Sequence, residues 1–276
     1  MKKFYFLLIA ICTLSSCNDS DSDPANDTNS NLLQRVDFHP GEASERRWHF
    51  NADGLVYQIT KADGTVVQSF TYDNQNRLIS TTINSTISET HTFTYDHNDF
   101  VTSVDGNPVH FNPSQNAYYT GNLNTIYRLT KINTEKLVFE GKTVNIENDV
   151  SGITQTEWLE IHVGYTNNNI TGFSPDERCH SYTYDTKINP LRKATLAICR
   201  AFSFIGGSSW VNGHYNSANN PITERYCSED PESGLMHYTY NTDNLPISQT
   251  YDHYYLGVYE NSRTSINYYY QGDVLP

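Results

Sequence analysis

Aromatic and hydroxyl side chains alternate along much of this chain, and the alternation recurs. Ser69-Phe70-Thr71-Tyr72-Asp73 is followed by His91-Thr92-Phe93-Thr94-Tyr95-Asp96, by His180-Ser181-Tyr182-Thr183-Tyr184-Asp185 and by His237-Tyr238-Thr239-Tyr240-Asn241. Looser copies are Arg47-Trp48-His49-Phe50-Asn51 and Ile161-His162-Val163-Gly164-Tyr165-Thr166, and Asn267-Tyr268-Tyr269-Tyr270 closes the series. A period of two is the signature of a strand, and it places the aromatics on one face and the threonines on the other. The Asp or Asn after each phrase suits a strand end, because its side chain can hydrogen-bond the backbone of a turn. A second alternating run then follows, which makes each phrase half of a hairpin. Further turns are marked by Asp53-Gly54, Asp63-Gly64, Asp105-Gly106, Asn167-Asn168-Asn169, Asn219-Asn220-Pro221 and Asp243-Asn244-Leu245-Pro246.

The pattern predicts a mainly β fold: an antiparallel meander of repeated hairpins forming one large twisted, curved sheet. Such a sheet can be wet on its Thr face, while its aromatic face lies inside the curve or under a cover. One segment departs from period two. After Asn189-Pro190 the apolar residues are Leu191, Ala194, Ile198, Ala201, Phe202 and Ile205, at helical steps. Pro190 suits a helix start and Gly206-Gly207 a stop, so one packed helix is expected near 190–205. The presence of 21 Tyr and 12 Phe against only 2 Met supports strands over helices.

The phrase Tyr-x-Tyr-Asp, a turn, then Arg-Leu, best seen in Tyr72-Asp73 with Arg77-Leu78, resembles the YD repeats of the RHS family. Most copies here lack the glycine and arginine of the full motif; after Asp185 and Asn241 the chain places Asn-Pro and Leu-Pro instead. That variant resembles a group of Bacteroidetes surface lipoproteins with degenerate YD-type repeats, over roughly residues 47–272. The resemblance implies a repeat-built surface protein of unassigned activity. Large RHS proteins wind their repeats into a closed shell; this chain is too short for one, which makes an open, curved sheet the expectation.

The first residues carry a separate message. Lys2 and Lys3 precede an apolar run from Phe4 to Leu14, too short to span a bilayer and of signal-peptide length. The run ends at Leu14-Ser15-Ser16-Cys17, which resembles the lipobox of bacterial lipoproteins. Small residues there admit a peptidase, and the Cys17 thiol accepts the lipid. Two or more acyl chains hold a protein stably at a membrane. The expected organisation is a signal peptide over 1–16, a disordered acidic tether over 17–33 and a β domain over 34–276. The tether follows from Asn18-Asp19-Ser20-Asp21-Ser22-Asp23 and its neighbours, which have almost no apolar surface to bury. An acidic run directly after the lipid cysteine also resembles the surface-export signal of Bacteroidetes lipoproteins, which implies an outer-membrane lipoprotein exposed at the cell surface.

Loss of Lys2 and Lys3 would take the formal charge from −13 to −15. That charge excludes a nucleic-acid footprint and leaves the lipid to hold the protein at the membrane. The partners expected are the membrane, through the N-terminal lipid, and a glycan or another envelope protein.

Candidate chemistry is sparse. His91 and His180 hold the same repeat position, but two imidazoles fall short of the three or four ligands of a metal site. Asp73, Asp96 and Asp185 fit turn formation better than a calcium loop. Glu157, Glu160, Glu177 and Glu224 lie near aromatics, and nothing singles out a glycosidase pair among them. Trp48, Trp158 and Trp210 are the candidates for a sugar-stacking platform. Cys179, Cys199 and Cys227 allow one disulfide, and the sequence does not choose the pair. No catalytic residue, metal or cofactor is assigned. The leading expectation is a non-catalytic binding or structural protein of the envelope. A glycan-binding accessory lipoprotein stands second, and a hydrolase with a spatially assembled carboxylate pair third.

Overall fold

The computed structural model describes residues 31–112, 117–120, 129–132, 136–144, 156–175, 180–202, 216–226 and 232–276. Side chains are described outside 111–166 and 173–180, except at positions 200 and 202. These residues form eighteen strands and one helix. The strands are β1 (Leu33–Phe38), β2 (Arg46–Phe50), β3 (Val56–Lys61), β4 (Val66–Tyr72), β5 (Leu78–Ile83), β6 (Glu89–Tyr95), β7 (Val101–Val104), β8 (Asn107–Asn112) and β9 (Ala117–Thr120). They continue as β10 (Leu129–Ile132), β11 (Lys136–Val144), β12 (Thr156–Thr166), β13 (Asn169–Pro175), β14 (His180–Ile188), β15 (Asn219–Tyr226), β16 (Glu232–Tyr240), β17 (Pro246–Tyr255) and β18 (Val258–Tyr270). The helix, α1 (Arg192–Phe202), lies between β14 and β15.

The architecture is the meander that the alternation predicts. Described strands pair antiparallel with their neighbours in the chain, as β4 does with β5 and β16 with β17. β1 pairs on one side with β2 and on the other with β18, from Leu33 opposite Tyr270 to Phe38 opposite Ile266. The sheet therefore curves until its two ends touch. It is not sealed as a uniform cylinder, because β9 and β10 meet at a single residue pair, Tyr118 with Thr130.

Four turns share one construction, and its cause lies in one residue type. Asn51, Asp73, Asp96 and Asn241 each accept two backbone N–H bonds through Oδ1, from the residues two and four positions on. The backbone N–H of each also donates to the carbonyl four residues on. The fourth position of each turn is left-handed: Gly54, Asn76, Asp99 and Asn244 have φ of 73°, 64°, 63° and 62°. Gly, Asn and Asp occupy that region at the lowest steric cost. Asp185 departs from its repeat. It lies inside β14, which continues to Ile188, and its carboxylate accepts from the Tyr240 hydroxyl and from Asn220. Asp185 keeps one local bond, from the Lys187 N–H to Oδ1 at 2.9 Å, but its other donors, Asn220 and Tyr240, come from across the sheet and the strand runs on instead of turning.

The repeats are also fastened to one another. The last Tyr of a phrase donates its hydroxyl to the carbonyl at the start of an earlier hairpin's second strand. Tyr72 reaches Val56, Tyr95 reaches Leu78 and Tyr270 reaches Pro246, at 2.8, 2.7 and 2.8 Å, and Tyr184 reaches Ile170.

The two faces sort as expected. Phe70, Phe93 and Tyr182 are buried, while Thr71, Thr92, Thr94, Thr183 and Thr239 between them are exposed. On the exposed face threonines bond across strands, Thr82 to Thr90 and Thr94 to Thr102 among them. The aromatic face is filled by α1. Leu191, Ala194, Ile198 and Ala201 are fully buried and share one cluster with Phe38, Phe50, Phe70, Phe93 and Tyr268. Asn189 caps this helix, accepting the Leu191 N–H through Oδ1 at 3.0 Å. Phe202 and Ile205 lie outside the described side chains. Among the described residues no helix is long and apolar enough to cross a membrane.

Where β1 meets β18, the face opposite the core holds a buried ion pair. Arg35 Nε lies 2.8 Å from Asp37 Oδ1, Nη2 donates to Oδ2 at 2.9 Å, and the guanidinium lies over the Tyr269 ring.

Candidate functional site

Among the described residues two cavities are lined. The first, of about 400 Å³, is lined by residues of β1, β15, β16, β17 and β18, among them Glu224, Tyr226, Glu232, Tyr251, His253 and Arg263. The second, of about 760 Å³, lies between the turns at Asn76 and Asp99 and the start of α1, with Arg77, Arg192 and Lys193 on its wall. In the second, Arg77 is engaged by Asp73 at 2.8 Å and by Asp99 at 3.2 Å, so it serves the turns. The first gathers more varied chemistry, and it is the candidate site.

Strand periodicity positions its side chains. Tyr251 and His253 alternate with Asp252 on β17, and Asn261, Arg263 and Ser265 occupy alternate positions on β18. Tyr251 sits opposite Arg263 and His253 opposite Asn261, which sets four polar side chains side by side. Gly234 of β16 makes room for the tyrosine: a Cβ there would lie 2.3 Å from the Tyr251 ring. Glycine is thus a steric requirement of this wall and not only a break in the strand pattern.

The groups are tied to one another. Glu224 Oε1 accepts from the Tyr182 hydroxyl at 3.3 Å. His253 Nδ1 lies 3.0 Å from Glu260 and its Nε2 3.8 Å from Glu232. Gln249 Nε2 donates to the Tyr238 hydroxyl at 3.0 Å. Burial pushes the Tyr251 hydroxyl up to about 12, with the Glu224 and Glu232 carboxylates adding to it. The Tyr182 hydroxyl is raised by burial and then by Glu224. His39, at the mouth of the cavity beyond β1, is held below the usual imidazole range by burial and then by Arg263. The cavity therefore offers two Glu side chains, a guanidinium, amides, and a Tyr251 phenol that keeps its proton near neutral pH. That set donates to and accepts from hydroxyl groups, and its aromatic surfaces suit the apolar face of a sugar ring.

The residues singled out from sequence fall as follows. Glu224 lines the cavity. Trp48 is buried in the core against Phe38, ring centroids 4.6 Å apart, and presents no open face. Trp158 belongs to β12, opposite Lys142, but its side chain lies outside the described residues, as do Trp210, Glu157, Glu160 and Glu177. Cys17 also lies outside them. His91 bonds Asp105 at 2.8 Å; it sits on β6, which is no neighbour of the β14 that carries His180. Among the described residues no group of three or more His, Cys, Asp or Glu could hold a metal ion. Cys199 is buried, and its Sγ accepts from Asn216 Nδ2 at 3.2 Å. Sequence reasoning missed Glu232, Tyr251, His253 and Arg263. The alternation of Tyr251, His253 and Arg263 on β17 and β18 was a usable signal, but only pairing with β16, which carries Glu232, and with β15 makes them one wall.

No protein-family model matches the sequence, and no curated protein matches it. Solved structures that match it include two porin-like proteins. A porin-like protein from Bacteroides uniformis ATCC 8492 is 12% identical, with 87% of this chain and 98% of that chain covered and a TM-score of 0.35. A porin-like protein from Bacteroides vulgatus ATCC 8482 is 9% identical, with 87% and 99% covered and a TM-score of 0.45.

Proposed function

We propose that this chain is a lipid-anchored protein of the bacterial outer membrane, exposed at the cell surface, which binds a polyhydroxylated ligand such as a glycan without transforming it. The observation that carries the binding half is the interior cavity, where Glu224, Glu232, Arg263 and Tyr251 converge. The anchoring half rests on the apolar run that ends at Cys17. The exposed face of the sheet supports it: Thr71, Thr92, Thr94 and Thr183 stand where a strand facing lipid would carry apolar side chains. Attachment therefore falls to the acyl chains.

Two measurements test the reading. Cys17→Ser should abolish incorporation of labelled fatty acid and move the protein out of the membrane fraction; a variant that keeps its acyl chains would remove the anchoring claim. A glycan array probed with the mature domain should return a ligand class whose binding weakens at least tenfold in Glu224→Gln or Arg263→Gln. Equal binding by both variants would remove the cavity from consideration. A hydrolase is the second reading, favoured by Glu224 and Glu232 lining one cavity. It is supported if new reducing ends appear on the bound glycan and Glu232→Gln stops their release.

A further inference from the structure

We infer that the second cavity, between the turns at Asn76 and Asp99 and the start of α1, binds an amphiphilic anion: a ligand with one carboxylate or phosphate head on a hydrocarbon body. The two cavities share no lining residue, so this site and the one proposed above for a glycan can each fail without the other.

Charge sets this cavity apart. The chain has a formal charge of −13, yet the wall carries Arg77, Arg192 and Lys193 against the single carboxylate of Asp99. Arg77 and Asp99 are already engaged. Arg77 pairs with Asp73 and with Asp99, donates to the Asp96 carbonyl at 3.0 Å and lies over the Tyr95 ring. Arg192 and Lys193 differ: among the described residues neither side chain enters an ion pair or a hydrogen bond. Arg192 Nε is buried, and no acceptor among those residues reaches it. A buried N–H without an acceptor costs free energy. An anionic oxygen in the cavity would supply that acceptor, and the planar guanidinium matches a carboxylate or phosphate through paired N–H donors. Lys193, exposed at the next position of α1, adds a point charge.

Much of the remaining wall is apolar. Leu55 is buried, Pro190 precedes α1, and Leu196 and Ala197 belong to its next turn. Ile188, at the end of β14, lines the same space and is 63% exposed. A hydrocarbon body would cover these side chains, and removal of apolar surface from water favours its binding. The volume of about 760 Å³ lies within the roughly 300–1,000 Å³ of small-molecule sites. A bare inorganic anion would leave the apolar wall wet, and a neutral lipid would leave both cations unpaired. A ligand that joins the two parts satisfies both.

Isothermal titration calorimetry of the full-length chain in detergent tests the site. The probes are octanoate and octyl phosphate, with octanol, acetate and inorganic phosphate as their separate halves. At least one amphiphile should bind, and the tighter of the two identifies the head group. It should bind roughly tenfold or more tightly than octanol and than its own bare anion, and weaken as salt is added. Arg192→Gln should weaken it roughly tenfold, while partition into detergent stays equal in wild type and variant. Lys193→Gln, at an exposed position, should keep the fold and weaken binding severalfold, and it carries the test if Arg192→Gln does not fold. Octanol binding as tightly as the anions would show that the cations take no part. A bare anion binding as tightly as its amphiphile would show the same of the apolar wall. Either result overturns the inference, as do equal binding by the folded variants and a lack of binding by both amphiphiles.

Discussion

At the scale of single residues, the Asp or Asn that ends each repeat does more than any other side chain. Asp73 Oδ1 holds two N–H groups of its turn while Oδ2 meets Arg77 at 2.8 Å. Burial works against the charged form, but the Arg77 and Gln75 N–H groups and the Arg77 guanidinium outweigh it, leaving the carboxyl below its ordinary 3.8. A depressed carboxylate contributes stability above its unfolded value and loses it as pH falls through the folded one. Urea denaturation between pH 2 and 7 should therefore show part of the acid sensitivity of the native protein vanish in Asp73→Asn. That variant keeps the turn, as Asn51 and Asn241 do, and should cost no more than about 0.5 kcal/mol at pH 7. Asp73→Ala removes the turn acceptor as well and should cost about 1 kcal/mol or more. These turns were legible in the sequence because each is closed by bonds within five residues. Asp185 misled the same reasoning because, beside the Lys187 N–H, it is held by Asn220 and Tyr240, which are 35 and 55 residues away.

At the scale of elements, the helix and the seam between β1 and β18 fix how the sheet curves. The helical spacing of Leu191, Ala194, Ile198 and Ala201 was readable locally, and so was its use as the cover of the aromatic face. Ile198 is fully buried, so Ile198→Ala should cost about 2–5 kcal/mol in chemical denaturation, more than any single exposed threonine. The seam was not readable, since nothing near Arg35 indicates that Tyr269 will lie beside it. Burial raises the Asp37 carboxyl even though Arg35 pulls the other way. Arg35→Met leaves that carboxyl buried without its cation and should cost about 3–5 kcal/mol at neutral pH. The loss should shrink as pH falls and Asp37 becomes neutral. A loss independent of pH would show that the methionine packs badly and that the missing charge is not the cause.

At the scale of the whole molecule, the polar wall of the cavity belongs to strands that only tertiary pairing brings together, which is why Glu224 alone was noticed in advance. The same long-range pairing makes the sheet depend on its two ends. β18 hydrogen-bonds both β17 and β1. A chain stopped before Val258 would expose two strand edges at once, and such edges template association. It should elute as aggregates in size-exclusion chromatography and lose the single cooperative unfolding transition of the full chain. β1 also gives the molecule a polarity. Leu33 begins β1 at the rim where Gln271 donates to the Leu32 carbonyl, whereas Phe38 and His39 at the far end of β1 border the cavity. Six residues of strand separate the two, roughly 20 Å at strand rise. Under the anchoring proposed above, the lipid would join the fold at the rim near Leu33, and the mouth that gathers Glu232, His253 and Arg263 would stand at the opposite end of β1 from that attachment.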